Sequence, residues 1–214
     1  MKILVIFFCI SSTYAQEVYF LSGKNFTHYN FNTTATKTSV KLNSGTGDFY
    51  EVGVSSSIQD TQFLYSGAIV LKEFNAVGGD IVSKYTWSSQ YIGAKATGYY
   101  HLINHECNCY NRTSWNLMLF ASLSALTLID GRQSINASYY DLKGTYYDLK
   151  KNEEFKGVFI EPSIGLQIKY SMFSYGAVSF GYSYNKAFNM LNSTSEKLGF
   201  DSHQLQFGIH LNTP

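Results

Sequence analysis

Apolar and polar residues alternating over runs of more than ten positions, a shortage of charge and the lack of any long apolar segment together predict an all-β fold. The form predicted is an eight-stranded antiparallel transmembrane up-and-down β-barrel. Only 14% of the 214 residues are charged, against about 25% in ordinary soluble domains. Aromatic residues make up 17%, which excludes a disordered chain. After residue 16 no stretch has 18 consecutive apolar residues, so no transmembrane helix is expected. In hydrocarbon every backbone N–H and C=O has to be paired within the protein, and without such a helix a closed barrel is what remains.

The chain opens with Met1-Lys2, an apolar run from Ile3 to Ile10, and the small-residue end Ser11-Ser12-Thr13-Tyr14-Ala15. That is the pattern of a secretory signal peptide over 1–15, leaving 16–214 as a single barrel domain. Phe7-Phe8 before Cys9 stand where a lipoprotein would carry a small residue. Cleavage after Ala15 removes Lys2 and leaves 15 basic residues against 15 acidic ones, so the mature chain is formally neutral. With no basic excess, a nucleic-acid partner is excluded. Cys107 and Cys109 are too few for a disulfide framework, so stability has to come from the sheet.

Eight strands are read, at about 17–31, 47–58, 62–74, 85–101, 115–129, 157–170, 174–188 and 202–211. The C-terminal half shows the alternation best. Val158, Ile160, Pro162, Ile164, Leu166, Ile168 and Tyr170 form one column; Phe159, Glu161, Ser163, Gly165, Gln167 and Lys169 form the other. Val178, Phe180, Tyr182 and Tyr184 alternate with small residues, and Leu205, Phe207, Ile209 and Leu211 with Gln204, Gln206, Gly208 and His210. Residues 116–129 also admit a buried helix. Residues 62–73 are apolar on both faces, which leaves their register open. Several strands exceed the usual five or six residues of a soluble sheet, as a membrane barrel requires.

Short connections fall at Gln59-Asp60-Thr61 and Ser171-Met172-Phe173. Long polar ones are expected around Thr33–Gly45, Asn75–Lys84, Asp130–Lys156 and Asn189–Asp201. Residues 102–114 are long where a short turn is expected. Glu51, Lys95, Glu161, Lys169 and His210 fall on the column opposite the apolar one and are expected to form a structural network of paired charges in the lumen. Tyr19, Tyr29, Tyr50, Tyr85, Trp87, Tyr100, Trp115, Tyr170, Tyr175, Tyr182 and Tyr184 lie near strand ends or on the apolar column, suited to a girdle at the membrane–water boundary.

The segment Ser22-Gly23-Lys24-Asn25-Phe26-Thr27-His28-Tyr29, followed by Gly45-Thr46-Gly47-Asp48-Phe49-Tyr50-Glu51-Val52-Gly53, is similar to the opening of an uncharacterised group of outer-membrane barrel domains. With the leader, the even strand number and the Gly- and Tyr-rich alternation, the mature chain resembles the small OmpA/OmpX/OmpW-type outer-membrane β-barrels of Gram-negative bacteria. Such proteins usually end on an aromatic residue; here the end is Leu211-Asn212-Thr213-Pro214, and Phe207 is the last aromatic. The resemblance implies a cell outer-membrane location, with outer-membrane lipid and the assembly machinery as partners and a monomeric state.

His101, His105, Cys107 and Cys109 combine ligand types suited to zinc, but their spacing matches no standard site and a polar turn is the plainer reading. No metal or cofactor is expected. Tyr139-Tyr140-Asp141-Leu142-Lys143 recurs as Tyr146-Tyr147-Asp148-Leu149-Lys150. This is either a neutral duplication or a loop surface in which Tyr139, Tyr140, Tyr146 and Tyr147 recognise an extracellular ligand or protein. Asp201-Ser202-His203 carries hydrolase residue types, but consecutive strand residues point to alternate faces and cannot converge. The Asn-x-Ser/Thr sites at Asn25, Asn32, Asn111, Asn136 and Asn192 are expected by chance in this composition. The expected function is that of an integral outer-membrane barrel without catalytic activity, structural or surface-recognising through long extracellular loops. The alternatives are a barrel enzyme modifying lipid or polysaccharide and a soluble lipocalin-like barrel.

Overall fold

The structure, a computed structural model, describes residues 17–33, 43–58, 61–79, 83–106, 114–137, 145–173, 175–190 and 196–212. Its strands are β1 (Glu17–Thr33), β2 (Asn43–Ser57), β3 (Phe63–Gly79), β4 (Ser83–Glu106), β5 (Ser114–Ala137), β6 (Thr145–Asp148), β7 (Val158–Phe173), β8 (Gly176–Asn189) and β9 (Glu196–Asn212). All but β6 close into an eight-stranded antiparallel ring, because β4 pairs with β5 and β9 returns to β1. The closing seam runs from Glu17↔Asn212 to Thr33↔Glu196. The β2–β3 and β7–β8 turns lie with the chain ends at what we call the termini end. The opposite rim is the loop end.

Alternation decides which side of the wall each residue takes. On β7, Ile164, Leu166 and Ile168 are 46–55% exposed, whereas Glu161 and Gln167 of the alternate column are each 1% exposed. The same holds round the ring: Phe20, Val52, Ile69, Leu123, Phe180, Phe207 and Ile209 face out, and Asn25, Glu51, Lys72, Ser124, Ser183 and Gln204 face in. The barrel is therefore apolar outside and polar within, the reverse of a soluble barrel. On β3 the inward column Ala68, Val70, Phe74 and Ala76 is itself apolar. This explains why the sequence left that register open.

The strands run further than the hydropathy of the sequence suggests. β3 and β4 stay paired to Gly79↔Lys84, so most of the connection expected over Asn75–Lys84 is strand. β5 continues to Ala137, β9 begins at Glu196, and the turn expected at Ser171-Met172-Phe173 is the end of β7. The cause is common to these cases. Towards the loop end the outward residues become polar, as at Glu73, Asn75, Ser88, Asp201 and His203, while backbone pairing goes on. Hydropathy marks the apolar band, and the ladder extends past it. A bulge in β5, where Gln90↔Asp130 is followed by Tyr91↔Leu128, inverts the parity there and turns Gly131 inward. β6 was not expected; it pairs with Arg132–Ile135 of β5 at the loop end, on the β5 edge that β7 takes over Ser114–Thr127.

Side chains fill the lumen in two zones. Near the loop end the rings of Phe74, Tyr91, Phe159 and Phe200 touch with centroids 4.5–5.7 Å apart. Tyr29 stands edge-on to Phe200 at 4.8 Å. The segment after β6 folds back over this aromatic cap and buries Leu149 and Phe155 in it. Gly157, at φ +102°, turns the segment into β7. There the Asn189 amide nitrogen donates to the Lys156 carbonyl at 2.6 Å. Below the cap lies a polar zone that reaches the termini end.

Candidate functional site

The polar zone is organised by charge. Three carboxylates and three ammonium groups pair inside the wall: Glu51 with Lys95 at 2.9 Å, Glu161 with Lys72, and Glu17 with Lys169. Phe49 lies between the first two pairs, with Lys72 Nζ 5.6 Å and Lys95 Nζ 5.9 Å from its ring centre. Equal numbers of both signs leave no buried charge without an opposite, which is the condition for placing ions in a low-dielectric interior. The Tyr19 hydroxyl lies 2.9 Å from Glu51 Oε1 and 3.0 Å from Ser66 Oγ. With the Lys95–Glu51 pair, these bonds tie β1, β2, β3 and β4 together inside the lumen.

Of the residues read from sequence as lumenal, Glu51 and Lys95 form one pair, Glu161 lies in a second, and Lys169 and His210 share Glu17. Glu17 and Lys72 were absent from that reading. Glu17 stands at the very start of β1, outside any visible alternation, and Lys72 lies in the stretch whose register the sequence left open. The residues read as lumenal already balanced two carboxylates against two lysines, so the charge count gave no sign of a further pair.

The tyrosine girdle needs correction. Tyr19 and Tyr29 are buried in the lumen, and Trp87 stacks on Tyr29 at 6.4 Å, also inside. Lumen width at the cap favours large rings, and sequence position near a strand end does not separate the two faces. Tyr100, Trp115, Tyr170 and Tyr175 do face out near the termini end, joined by Phe63, whose ring lies 5.0 Å from Tyr100. Tyr50, Tyr182 and Tyr184 face out as well, the last two flanking His203, with Tyr182 Oη 2.7 Å from His203 Nδ1.

Asp201-Ser202-His203 lies within β9 and not in a loop: Ser202 is buried and His203 faces out, so the three do not converge. His101 is half-buried near the end of β4, and His105 is in the same strand. Cys107, Cys109, Tyr139 and Tyr140, and the leader over 1–15, lie outside the described residues. Tyr146 and Tyr147 are in β6, and Tyr147 is exposed. Asn25, the first of the Asn-x-Ser/Thr sites, is wholly buried in the lumen and closed to a glycan.

A closed eight-stranded ring, an apolar outer wall with aromatics near the termini end, and ion pairs within define a small transmembrane-type β-barrel. No protein-family model matches the chain, and no curated protein matches it in sequence. Among solved structures it is similar to Neisserial surface protein A, with a TM-score of 0.45, 13% identity, and coverage of 92% of this chain and 97% of that one. It is also similar to the outer membrane protein OprG from Pseudomonas aeruginosa, with a TM-score of 0.43, 10% identity, and coverage of 93% and 96%. The N-terminal β-barrel domain of Pseudomonas aeruginosa OprF gives 0.40, 10%, and coverage of 93% and 98%. The class assignment rests on the ring and the polarity of its two faces.

Proposed function

We propose that this chain is an integral outer-membrane protein with a structural or surface-recognition role, its termini end in the periplasm and its loop end outside. The apolar wall around a closed ring carries the reading. It requires lipid as its solvent and the outer-membrane assembly machinery as its means of insertion. It also opposes a soluble lipocalin-like barrel, whose faces are reversed.

Recognition belongs to the loop end. There β6 extends the β5 edge above β7 and presents Tyr147, a residue type that gives contact area at low entropic cost. Tyr139, Tyr140 and Tyr146 belong to the same repeated segment.

Membrane fractionation tests this reading. The chain should stay with carbonate-washed outer membranes and migrate faster on an unboiled gel than on a boiled one. An epitope inserted beside Tyr147 should be reached by antibody on intact cells. Release into buffer without detergent, or an epitope hidden until cells are opened, would contradict it.

A further inference from the structure

β8 carries a charge inside the apolar band. Its outward column reads Phe180, Tyr182, Tyr184, Lys186, Phe188 and Met190, all exposed. Lys186 therefore has apolar side chains on both sides of it along the strand, and Ile160 of β7 stands opposite Phe188. Among the described residues Lys186 makes no ion pair, whereas Lys72, Lys95 and Lys169 each have a carboxylate. A lysine on a lipid-facing wall is costly until an anion meets it. We propose that Lys186 is the centre of a docking site for the phosphorylated sugar headgroup of an outer-leaflet lipid. The site rests on the reading that the loop end faces outside.

The neighbouring strands supply the rest of the site. In the β8–β9 ladder Lys186 stands opposite Asp201, and Tyr184 opposite His203. In the β1–β9 ladder Asp201 is met by His28, and His203 by Phe26. These side chains form two adjacent rows on the outer face, one polar and one of rings. His203 lies between tyrosines, with its ring centre 5.3 Å from that of Tyr184 and 6.0 Å from that of Tyr182. Its Nδ1 is 2.7 Å from Tyr182 Oη. With the tyrosine hydroxyl donating to Nδ1, the neutral imidazole carries its proton on Nε2, a donor for a phosphate oxygen.

Asp201 does not turn an anion away. One of its oxygens accepts from the Asn30 amide, and the other is shielded from solvent. The groups offered outward are the Lys186 ammonium and the exposed imidazoles of His28 and His203. The Lys186 stem lies along the apolar wall while its head reaches the phosphate, the usual posture of a lysine at a lipid boundary. Phe26 and Tyr184 are exposed ring faces on either side of His203, on which a sugar ring can rest while its acyl chains run down the wall. Charge and ring surface together select a sugar phosphate over a simple phosphodiester lipid.

Native mass spectrometry of the full chain folded in detergent tests the site, with folding verified by faster migration unboiled. The probes are lipid A, lipid A stripped of its phosphates, phosphatidylglycerol and inorganic phosphate. One lipid A should be retained, at concentrations where neither the stripped form nor phosphatidylglycerol is. Lys186→Gln should weaken retention about tenfold, the scale of one charge-assisted contact. Tyr184→Ala should weaken it as well. Lys84→Gln, an exposed lysine on β4, should leave it unchanged. Equal retention of the stripped form or of phosphatidylglycerol, or an undiminished affinity in folded Lys186→Gln, would overturn the proposal. Displacement of the lipid by inorganic phosphate would also overturn it, by showing a site for the free anion. Faster migration with no lipid retained would refute this site and leave the barrel reading standing.

Discussion

Lys95 Nζ lies 2.9 Å from Glu51 Oε2 in the middle of the lumen, with both side chains shielded from water. An ion pair in such a place adds little net stability over apolar residues of the same shape, but losing one partner strands the other. Lys95→Met should therefore lower the unfolding free energy by about 3–5 kcal/mol. Adding Glu51→Gln should restore most of it. Urea titration of the refolded protein in vesicles measures both; equal losses in the single and double variants would mean that the pair is not what holds Glu51.

Tyr19 reaches Glu51 only because Gly53 leaves room for its ring. A Cβ at Gly53 would sit 2.6 Å from both Cζ and Oη of Tyr19. Gly53→Ala should cost about 1–3 kcal/mol, the usual penalty for overfilling a packed interior. Combining it with Tyr19→Phe, which removes one of the two clashing atoms, should cost less than the sum of the separate changes, as urea titration of the three chains would reveal.

Much of the wall could be read in the sequence. Ile164, Leu166 and Ile168 against Glu161 and Gln167 define two faces without ambiguity, because lipid and a charged lumen ask for opposite chemistry. β3 could not be read so, because the aromatic cap makes Val70 and Phe74 as apolar as the lipid side. With its register went Lys72, the partner of Glu161. The folded-back segment was hidden for another reason. Phe155 is a single apolar residue in a polar run from Lys150 to Lys156, and nothing local says that it turns inward. His210 was visible as a lumen residue, but its meeting with Glu17 depends on β1 and β9, which join only when the ring closes.

Phe155 is buried under Tyr29 at 6.2 Å and belongs to the cap. Phe155→Ala should cost about 3–5 kcal/mol, as large core truncations do. Tyr147→Ala, at an exposed position on the neighbouring arm, should change stability by no more than about 0.5 kcal/mol. Chemical denaturation of the two variants side by side checks the contrast. Equal losses would mean that the segment after β6 does not pack into the barrel mouth.

The outer wall predicts a depth dependence. Leu123 is 54% exposed in the apolar band of β5, whereas Ser88 of β4 faces out beyond that band. Leu123→Arg should destabilise the vesicle-bound protein by about 2–4 kcal/mol and Ser88→Arg by about 0–1 kcal/mol. Refolding titrations into vesicles give both values, and a Ser88→Arg cost as large as that of Leu123→Arg would place the band boundary elsewhere.

The most direct test of the barrel follows lipid contact along β7. Single cysteines are placed at each position from 160 to 170 in a chain with Cys107→Ser and Cys109→Ser, labelled with a fluorophore and inserted into vesicles containing brominated lipid. Quenching should alternate with a period of two, strong at Ile160, Pro162, Ile164, Leu166 and Ile168 and weak at Glu161, Ser163, Gly165 and Gln167. Uniform quenching, or an alternation of the opposite phase, would contradict a lipid-facing apolar wall around a polar lumen.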